Sequence, residues 1–187
     1  PCWFHRCKRR TGEKQKIDST NFDDKKSIGL TDLGITQINK LSQHLVKKIP
    51  SLKSSSIIYS SPYARTVQSA EVVRSILGIK DLIVVSEFAE FYASTDYHLP
   101  KEIRKEIQKK AMQNPDWISP ETNISLNNTI LSFKNKIKEI CQENSSDLIL
   151  ISTHGGIIRN TAYSLDPKLR PSDELIADAK IHEGGYT

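Results

Sequence analysis

The sequence predicts a single α/β domain over residues 1–187, in which a mostly parallel central sheet lies between two layers of helices. Three short apolar segments, 56–60, 82–85 and 148–151, have the length and composition of strands. The segments between them carry apolar residues at every third or fourth position, as one face of a helix does. Because strands separated by helices pair in parallel through right-handed crossovers, this alternation predicts a three-layer architecture.

The helical periodicity predicts three helices, at 31–49, 62–77 and 126–141. Thr31 or Asp32 is suited to cap the first helix, and a proline lies in the first turn of the second. The residues predicted to face the core are spaced by three or four positions within each helix: Ile38, Leu41, Leu45 and Ile49 in the first, Val67, Ala70, Val73 and Leu77 in the second, and Ile130, Phe133, Ile137 and Ile140 in the third.

Residues 92–121 differ from the rest, because they are polar, partly helical in pattern and interrupted by prolines. We interpret this segment as a cap-like insertion that lies over the sheet and helps to choose the ligand, not as a separate domain.

Composition and charge favour a globular chain with no membrane partner. The hydrophobic content is 37%, the mean hydropathy is −0.46, and no apolar run approaches the roughly 18 residues that span a bilayer. No secretory signal is visible, and we expect a cytoplasmic protein. The net charge of +5 indicates a mild attraction for anions. Much of that charge lies in lysine-rich helical stretches such as 101–110, so a nucleic acid is not the expected partner.

The three cysteines, Cys2, Cys7 and Cys141, do not make a disulfide framework, and a reducing compartment is the simplest expectation. Cys141 is predicted to lie in the core, on the apolar face of its helix. Cys2 and Cys7 lack a second pair that would complete a metal site, so we predict neither a metal nor a cofactor.

The most informative stretch is 148–156, in which the aliphatic segment 148–151 is followed by Ser152-Thr153-His154-Gly155-Gly156. The aliphatic run predicts a fully buried strand, and the two glycines allow a sharp turn and a close approach to a ligand. His154 would project from the carboxyl end of that strand, where open α/β sheets bind ligands. A histidine there can bind an anion or move a proton, although it can also close a strand without any function.

Arg65 is the second candidate, since it lies in the first turn of the predicted helix 62–77. An arginine is unfavourable there, because the amino end of a helix is already partly positive. Its position is explained if the guanidinium and the helix end share a bound anion. The alternative is an ordinary surface arginine.

The chain carries three motifs in a fixed order: Leu-Thr-x-x-Gly at 30–34, Ser-Ser-Pro-x-x-Arg-Thr at 60–66 and Thr-His-Gly-Gly-Ile-Ile-Arg at 153–159. Together they resemble the histidine phosphatase superfamily, the phosphoglycerate mutase-like clan, and the resemblance covers about 10–159. It implies a phosphoglycerate mutase-like fold and hydrolysis of a phosphomonoester through a phospho-histidine intermediate, with no metal or cofactor. The implied partner is a phosphorylated small molecule or a phosphoprotein.

The resemblance also implies roles for single residues. Arg65 and a protonated His154 would bind the phosphate, together with Gly155. Glu90 fits the place of the proton donor to the leaving oxygen, and Glu87 is the second choice. Either glutamate can also be a plain surface residue.

The chain departs from the family at the position of the nucleophile. The segment Arg10-Thr11-Gly12-Glu13 takes the place of the family's Arg-His-Gly-Glu motif, so Arg10 and Gly12 would contact phosphate while Thr11 replaces the attacking histidine. A threonine hydroxyl is a weak nucleophile without an adjacent base. Three interpretations stay open: an inactive phosphate-binding pseudo-phosphatase, an altered start such as a shifted reading frame upstream of Gly12, or loss of the first strand.

Overall fold

The structure is a computed structural model, and it describes residues 26–52, 56–93, 99–144 and 148–169. The predicted site residues Arg10, Thr11 and Gly12 lie outside the described residues, as do Cys2 and Cys7.

The described residues form five α-helices and three strands, and they confirm the predicted α/β class. In chain order the elements are α1 (Asp32–Lys48), β1 (Ile57–Ser60), α2 (Ala64–Leu77), β2 (Asp81–Val84), α3 (Lys101–Gln113), α4 (Leu126–Glu143), β3 (Ile149–Ser152) and α5 (Gly155–Leu165), with short 3-10 helices at Ser86–Phe88 and Pro167–Leu169. Each predicted strand and helix is present, with ends that differ by one or two residues. No helix in these ranges is both long enough and apolar enough to cross a bilayer.

The three strands form a parallel sheet in the order β2-β1-β3. Ser60 at the end of β1 lies opposite Val84 of β2 and Ser152 of β3, so the carboxyl ends of the strands are level. The hydrogen bond from Ser61 N to Ser152 O, 2.9 Å long, continues the pairing one residue further. Residues that follow β1 and β3 are therefore brought together at one edge of the sheet.

Helices cover both faces of this sheet, as the three-layer prediction requires. Ile58 belongs to a cluster that we call the α1/α2 core, which also contains Leu45, Leu52, Ala70, Leu77 and Ile79. The next residue, Tyr59, points to the opposite face and belongs to the α4/α5 core, which also contains Val85, Phe88, Phe91, Ala93, Ala111, Leu126, Ile130, Phe133, Ile140 and Ile157. This alternation follows from the two-residue period of a strand.

Two predictions about burial are wrong. The segment 148–151 is half-buried instead of fully buried, because β3 is an edge strand of the described sheet and has a neighbouring strand, β1, on one side only. Cys141 is exposed. It follows the buried Ile140 by one position, and one step along a helix rotates a side chain by about 100°, away from the α4/α5 core.

The segment 92–121 is attached to the α4/α5 core. Within it α3 buries Ala111 in that core, and the Ser119 hydroxyl donates a hydrogen bond of 2.6 Å to the carbonyl of Ala93. Its function as a cap, and the extent of the domain over 1–187, stay predictions.

Candidate functional site

His154 and Ser61 lie side by side where β3 and β1 end. His154 is the N-cap residue of α5 and is 5% exposed, while Ser61 is fully buried. The distance between His154 Nε2 and Ser61 Oγ is 2.7 Å. The level ends of the two strands explain why residues so far apart in sequence form this contact.

Arg65 reaches the same imidazole from the first turn of α2. Its Nη2 atom lies 3.1 Å from His154 Nδ1. The Ser152 hydroxyl donates a hydrogen bond of 2.8 Å to the carbonyl of Thr66, which fixes the start of α2 against β3. The structure therefore brings together the two residues that the strand-end argument predicted.

The surroundings of His154 favour the neutral imidazole. Burial first, and the nearby charge of Arg65 second, lower its pKa from 6.5 to about 3. A protonated His154, which the resemblance implies, is therefore not the form that this environment favours near neutral pH.

Two tyrosines hold the Arg65 guanidinium in place. Its Cζ atom lies 4.8 Å from the ring centroid of Tyr63, within the range of a cation–π interaction. The rings of Tyr63 and Tyr92 are nearly parallel, with centroids 6.3 Å apart, and Arg65 Nη2 lies 3.5 Å from the Tyr92 hydroxyl. Tyr63 also packs edge-on against His154, at 4.8 Å between centroids. These contacts hold the guanidinium beside His154.

Glu90 is the carboxylate that approaches this pair. Its Oε2 atom lies 3.9 Å from His154 Nδ1. Phe88, two residues before Glu90, is fully buried. Its carbonyl accepts a hydrogen bond of 2.7 Å from the hydroxyl of Thr153, the residue before His154. A Cβ atom at Gly156 would collide with Glu90 Oε1, so glycine is needed there for the carboxylate to lie against the start of α5.

Glu87 lies in a different environment. It accepts a hydrogen bond of 2.7 Å from the Ser86 hydroxyl, and this bond is the main cause that lowers its pKa. With Lys136 and Glu143 it lines an open cavity of about 350 Å³ beside β2. Of the two predicted proton donors, the structure brings Glu90 to His154.

The two glycines after His154 act differently from the predicted sharp turn. Gly155 and Gly156 begin α5, and Gly78 is the glycine with positive φ among the described residues. The missing side chain of Gly156 lets Glu90 approach closely, and Gly156 does not adopt a left-handed backbone conformation.

The Leu-Thr-x-x-Gly motif supports the site from outside it. The Thr31 hydroxyl caps α1 by accepting a hydrogen bond of 3.1 Å from the Gly34 N–H. The Leu30 N–H donates a bond of 2.7 Å to Gln68 Oε1 on α2. This segment is thereby joined to the helix that carries Arg65.

Sequence reasoning missed Ser61, Tyr63 and Tyr92. Ser61 and Tyr63 belong to the Ser-Ser-Pro-Tyr-Ala-Arg turn, so their position beside Arg65 was a usable signal. Tyr92 lies two residues after Glu90, but only the packing places its hydroxyl near the guanidinium. Within the described ranges no group of three or more His, Cys, Asp or Glu side chains could hold a metal ion.

Comparisons with known proteins agree with this fold. The family model described as the histidine phosphatase superfamily (branch 1) matches residues 10–173. A solved structure of a phosphoserine phosphatase mutant from Entamoeba histolytica in complex with phosphoserine is similar, with 23% identity, a TM-score of 0.59, and coverage of 86% of this chain and 77% of that chain.

A mycobacterial glucosyl-3-phosphoglycerate phosphatase in complex with inorganic phosphate is similar as well, with 18% identity, a TM-score of 0.58, and coverage of 73% of this chain and 69% of that chain. No curated protein matches the chain. At these identities the solved structures show the shared fold, whereas the family model covers most of the sequence. The chain belongs to the histidine phosphatase superfamily (branch 1).

Proposed function

We propose that this domain is a phosphomonoester hydrolase of the histidine phosphatase type, whose phosphate site lies between Arg65 and His154. The observation that carries the proposal is the 3.1 Å contact of Arg65 Nη2 with His154 Nδ1 at the carboxyl ends of the strands. A carboxylate oxygen of Glu90 lies 3.9 Å from the same nitrogen.

Arg65 supplies the main attraction for the phosphate. A guanidinium makes charge-assisted hydrogen bonds to phosphate oxygens, often two at once. The N–H groups at the start of α5, beginning with Gly155, add the partial positive charge of a helix end. Arg10 and Gly12 would complete the site, as the family resemblance implies. Together these groups neutralise the charge that spreads over the phosphoryl oxygens during transfer.

Glu90 is the proposed proton donor. The negative charge of a bound phosphate favours the protonated form of a carboxyl beside it. As the nucleophile bonds to phosphorus and the phosphorus–ester oxygen bond breaks, Glu90 gives its proton to the departing alkoxide. Water then attacks phosphorus, loses a proton to the Glu90 carboxylate and displaces the nucleophile, which releases inorganic phosphate.

Thr11 limits this chemistry in the chain as written. Its hydroxyl must lose a proton in order to attack, whereas a neutral imidazole attacks directly. A second candidate function therefore rests on Thr11: a pseudo-phosphatase that binds a phosphorylated ligand without hydrolysing it.

The proposed ligand class is a phosphomonoester, as a small molecule or on a protein. The two structural neighbours are complexes with phosphoserine and with inorganic phosphate. Both carry the tetrahedral group that Arg65 and His154 would bind.

Hydrolysis of p-nitrophenyl phosphate tests the proposal. We expect almost no turnover by the chain as written and clear turnover by Thr11→His, alone or with residues 3–9 replaced by an apolar strand sequence. Adding Arg65→Ala to the active variant should abolish the gain. Phosphate binding without turnover in any variant would favour the pseudo-phosphatase, and an Arg65→Ala variant that keeps full turnover would overturn the site.

A further inference from the structure

Two adjacent buried serines at the end of β1 make different contacts. Ser60 and Ser61 are both fully buried. The Ser60 hydroxyl donates a hydrogen bond of 2.9 Å to the carbonyl of Ser61, so it acts on the backbone. The Ser61 hydroxyl lies 2.7 Å from Nε2 of His154, so it acts on the imidazole. Because buried polar atoms need partners, each hydroxyl is committed to its contact.

The partners of His154 fix the position of its proton. A guanidinium can only donate hydrogen bonds, so Nδ1, which lies 3.1 Å from Arg65 Nη2, must accept one. The neutral imidazole then carries its proton on Nε2, and this N–H donates a hydrogen bond to Ser61 Oγ. The other tautomer would point an N–H of His154 at an N–H of Arg65 across this short distance.

We propose that Ser61 is a positioning residue: it accepts a hydrogen bond from Nε2–H in the tautomer that Arg65 sets, and it thereby supports the uptake of a proton at Nδ1 when an oxyanion binds beside Arg65. The proposal deepens the proposed function and rests on it, since it concerns the same phosphate site.

The charge around Nδ1 explains why binding and protonation are coupled. Among the described residues, the groups that face His154 are the Arg65 guanidinium, the Glu90 carboxyl at 3.9 Å, the Tyr63 ring and the Ser61 hydroxyl. Without a proton, Nδ1 presents a lone pair, which repels an oxyanion. An oxyanion offsets the charge of Arg65 and favours the imidazolium.

The oxyanion takes over the Arg65 N–H that Nδ1 accepted in the free chain, and a proton from solvent then forms a new N–H bond at Nδ1. The imidazolium then has two donors, and both have acceptors: the oxyanion for Nδ1–H and Ser61 Oγ for Nε2–H. This matters because a buried cation with an unsatisfied N–H is costly. Loss of the Ser61 hydroxyl should therefore weaken oxyanion binding, even though Ser61 does not touch the ligand.

Nitrogen NMR of the His154 ring in the full chain tests the tautomer directly. We expect an Nε2–H imidazole in the free chain and two protonated nitrogens once inorganic phosphate is bound. Ser61→Ala should keep this tautomer in the free chain, because Arg65 sets it, but should lose the second protonation at the same phosphate concentration, whereas the matched control Ser60→Ala should show both. An Nδ1–H imidazole in the free chain would overturn the proposal, and this measurement needs no variant to fold.

Calorimetric titration with sulfate in two buffers of different ionisation enthalpy tests the proton uptake. Sulfate carries no titratable proton near neutral pH, and the titrations use the Glu90→Gln background, which removes the other group beside the oxyanion that could take up a proton. We expect about one proton per sulfate, and Ser61→Ala should weaken sulfate binding roughly tenfold against less than about twofold for Ser60→Ala. Equal effects of the two variants, or sulfate binding without proton uptake, would overturn the proposed role of Ser61 but not the proposed function. Failure of both phosphate and sulfate to bind would overturn the proposed function as well.

Discussion

The Nη2 atom of Arg65 lies 3.1 Å from Nδ1 of His154, although 89 positions separate the two residues in the sequence. Each residue stands at the start of a helix, and each helix follows one of two neighbouring parallel strands that end level. The contact is thus a consequence of strand register. The phosphate site that we propose lies at this point, beside both side chains and the amino ends of both helices.

His154 makes stability depend on pH. Its pKa is about 3 in the folded chain and near 6.5 when exposed, so below about pH 6.5 the unfolded chain binds a proton that the folded chain does not. The stability linked to this residue is full above that pH and is lost as the pH falls towards 3. Between about pH 7 and 4.5, the fall in unfolding free energy should be smaller in His154→Gln than in the wild type, by on the order of 2 kcal/mol.

Urea unfolding at several pH values measures this difference, and His44→Gln on α1 is the matched histidine control. If His154→Gln and the wild type showed the same pH dependence of the unfolding free energy, His154 would not be a buried neutral histidine in the folded chain.

Glu90→Gln should separate binding from chemistry. In the Thr11→His background we expect kcat for p-nitrophenyl phosphate to fall about 100-fold, since the amide cannot donate a proton to the leaving oxygen. The dissociation constant for inorganic phosphate should change little. Glu87→Gln is the control, because Glu87 bonds to Ser86 instead of approaching His154. A loss in Glu87→Gln that equals the loss in Glu90→Gln would reverse the assignment.

Gly156→Ala should disturb Glu90 without unfolding the domain. The added methyl would collide with Glu90 Oε1, which is the end of a flexible side chain and can move aside. We therefore expect an unfolding free energy within about 1 kcal/mol of the wild type, together with a loss of kcat in the Thr11→His background. Full turnover in this variant, measured with p-nitrophenyl phosphate, would mean that the position of Glu90 against α5 is unimportant.

Phe88 should carry a large share of local stability. It is fully buried, and its ring packs edge-on against Phe133 at 5.1 Å between centroids. Phe88→Ala should lower the free energy of unfolding by about 3–5 kcal/mol in a denaturant titration. Ile83→Ala is the control, since Ile83 is 43% exposed and its loss should cost well under half as much. Equal losses would contradict the packing described for the α4/α5 core.

Much of this arrangement could be predicted because its signals are local. The aliphatic runs predict the strands, and Arg65 and His154 stand at fixed positions just after two of them. The preference for Glu90 over Glu87 rests on spacing alone in the sequence, whereas the structure places Glu90 Oε2 3.9 Å from His154 Nδ1 and Glu87 beside an open cavity next to β2. The role of Glu90 as proton donor stays a proposal.

The remainder depends on packing, which a sequence pattern does not contain. The neutral state of His154 follows from its burial beside Arg65, and the role of Ser61 follows from the register of β1 with β3. Cys141 shows the limit of periodicity: a shift of one position around α4 separates the buried Ile140 from an exposed thiol.

Calorimetric titration with inorganic phosphate, on the wild type, Arg65→Ala and Arg74→Ala, is the most direct test of the phosphate site. Arg74 is the matched control, because it lies in the last turn of the same helix and pairs with Glu71 at 2.7 Å. Arg65→Ala should weaken phosphate binding by about 10–100-fold, the effect of losing hydrogen bonds to a charged group, while Arg74→Ala binds as the wild type does. Unchanged affinity in Arg65→Ala, or an equal loss in Arg74→Ala, would contradict the account.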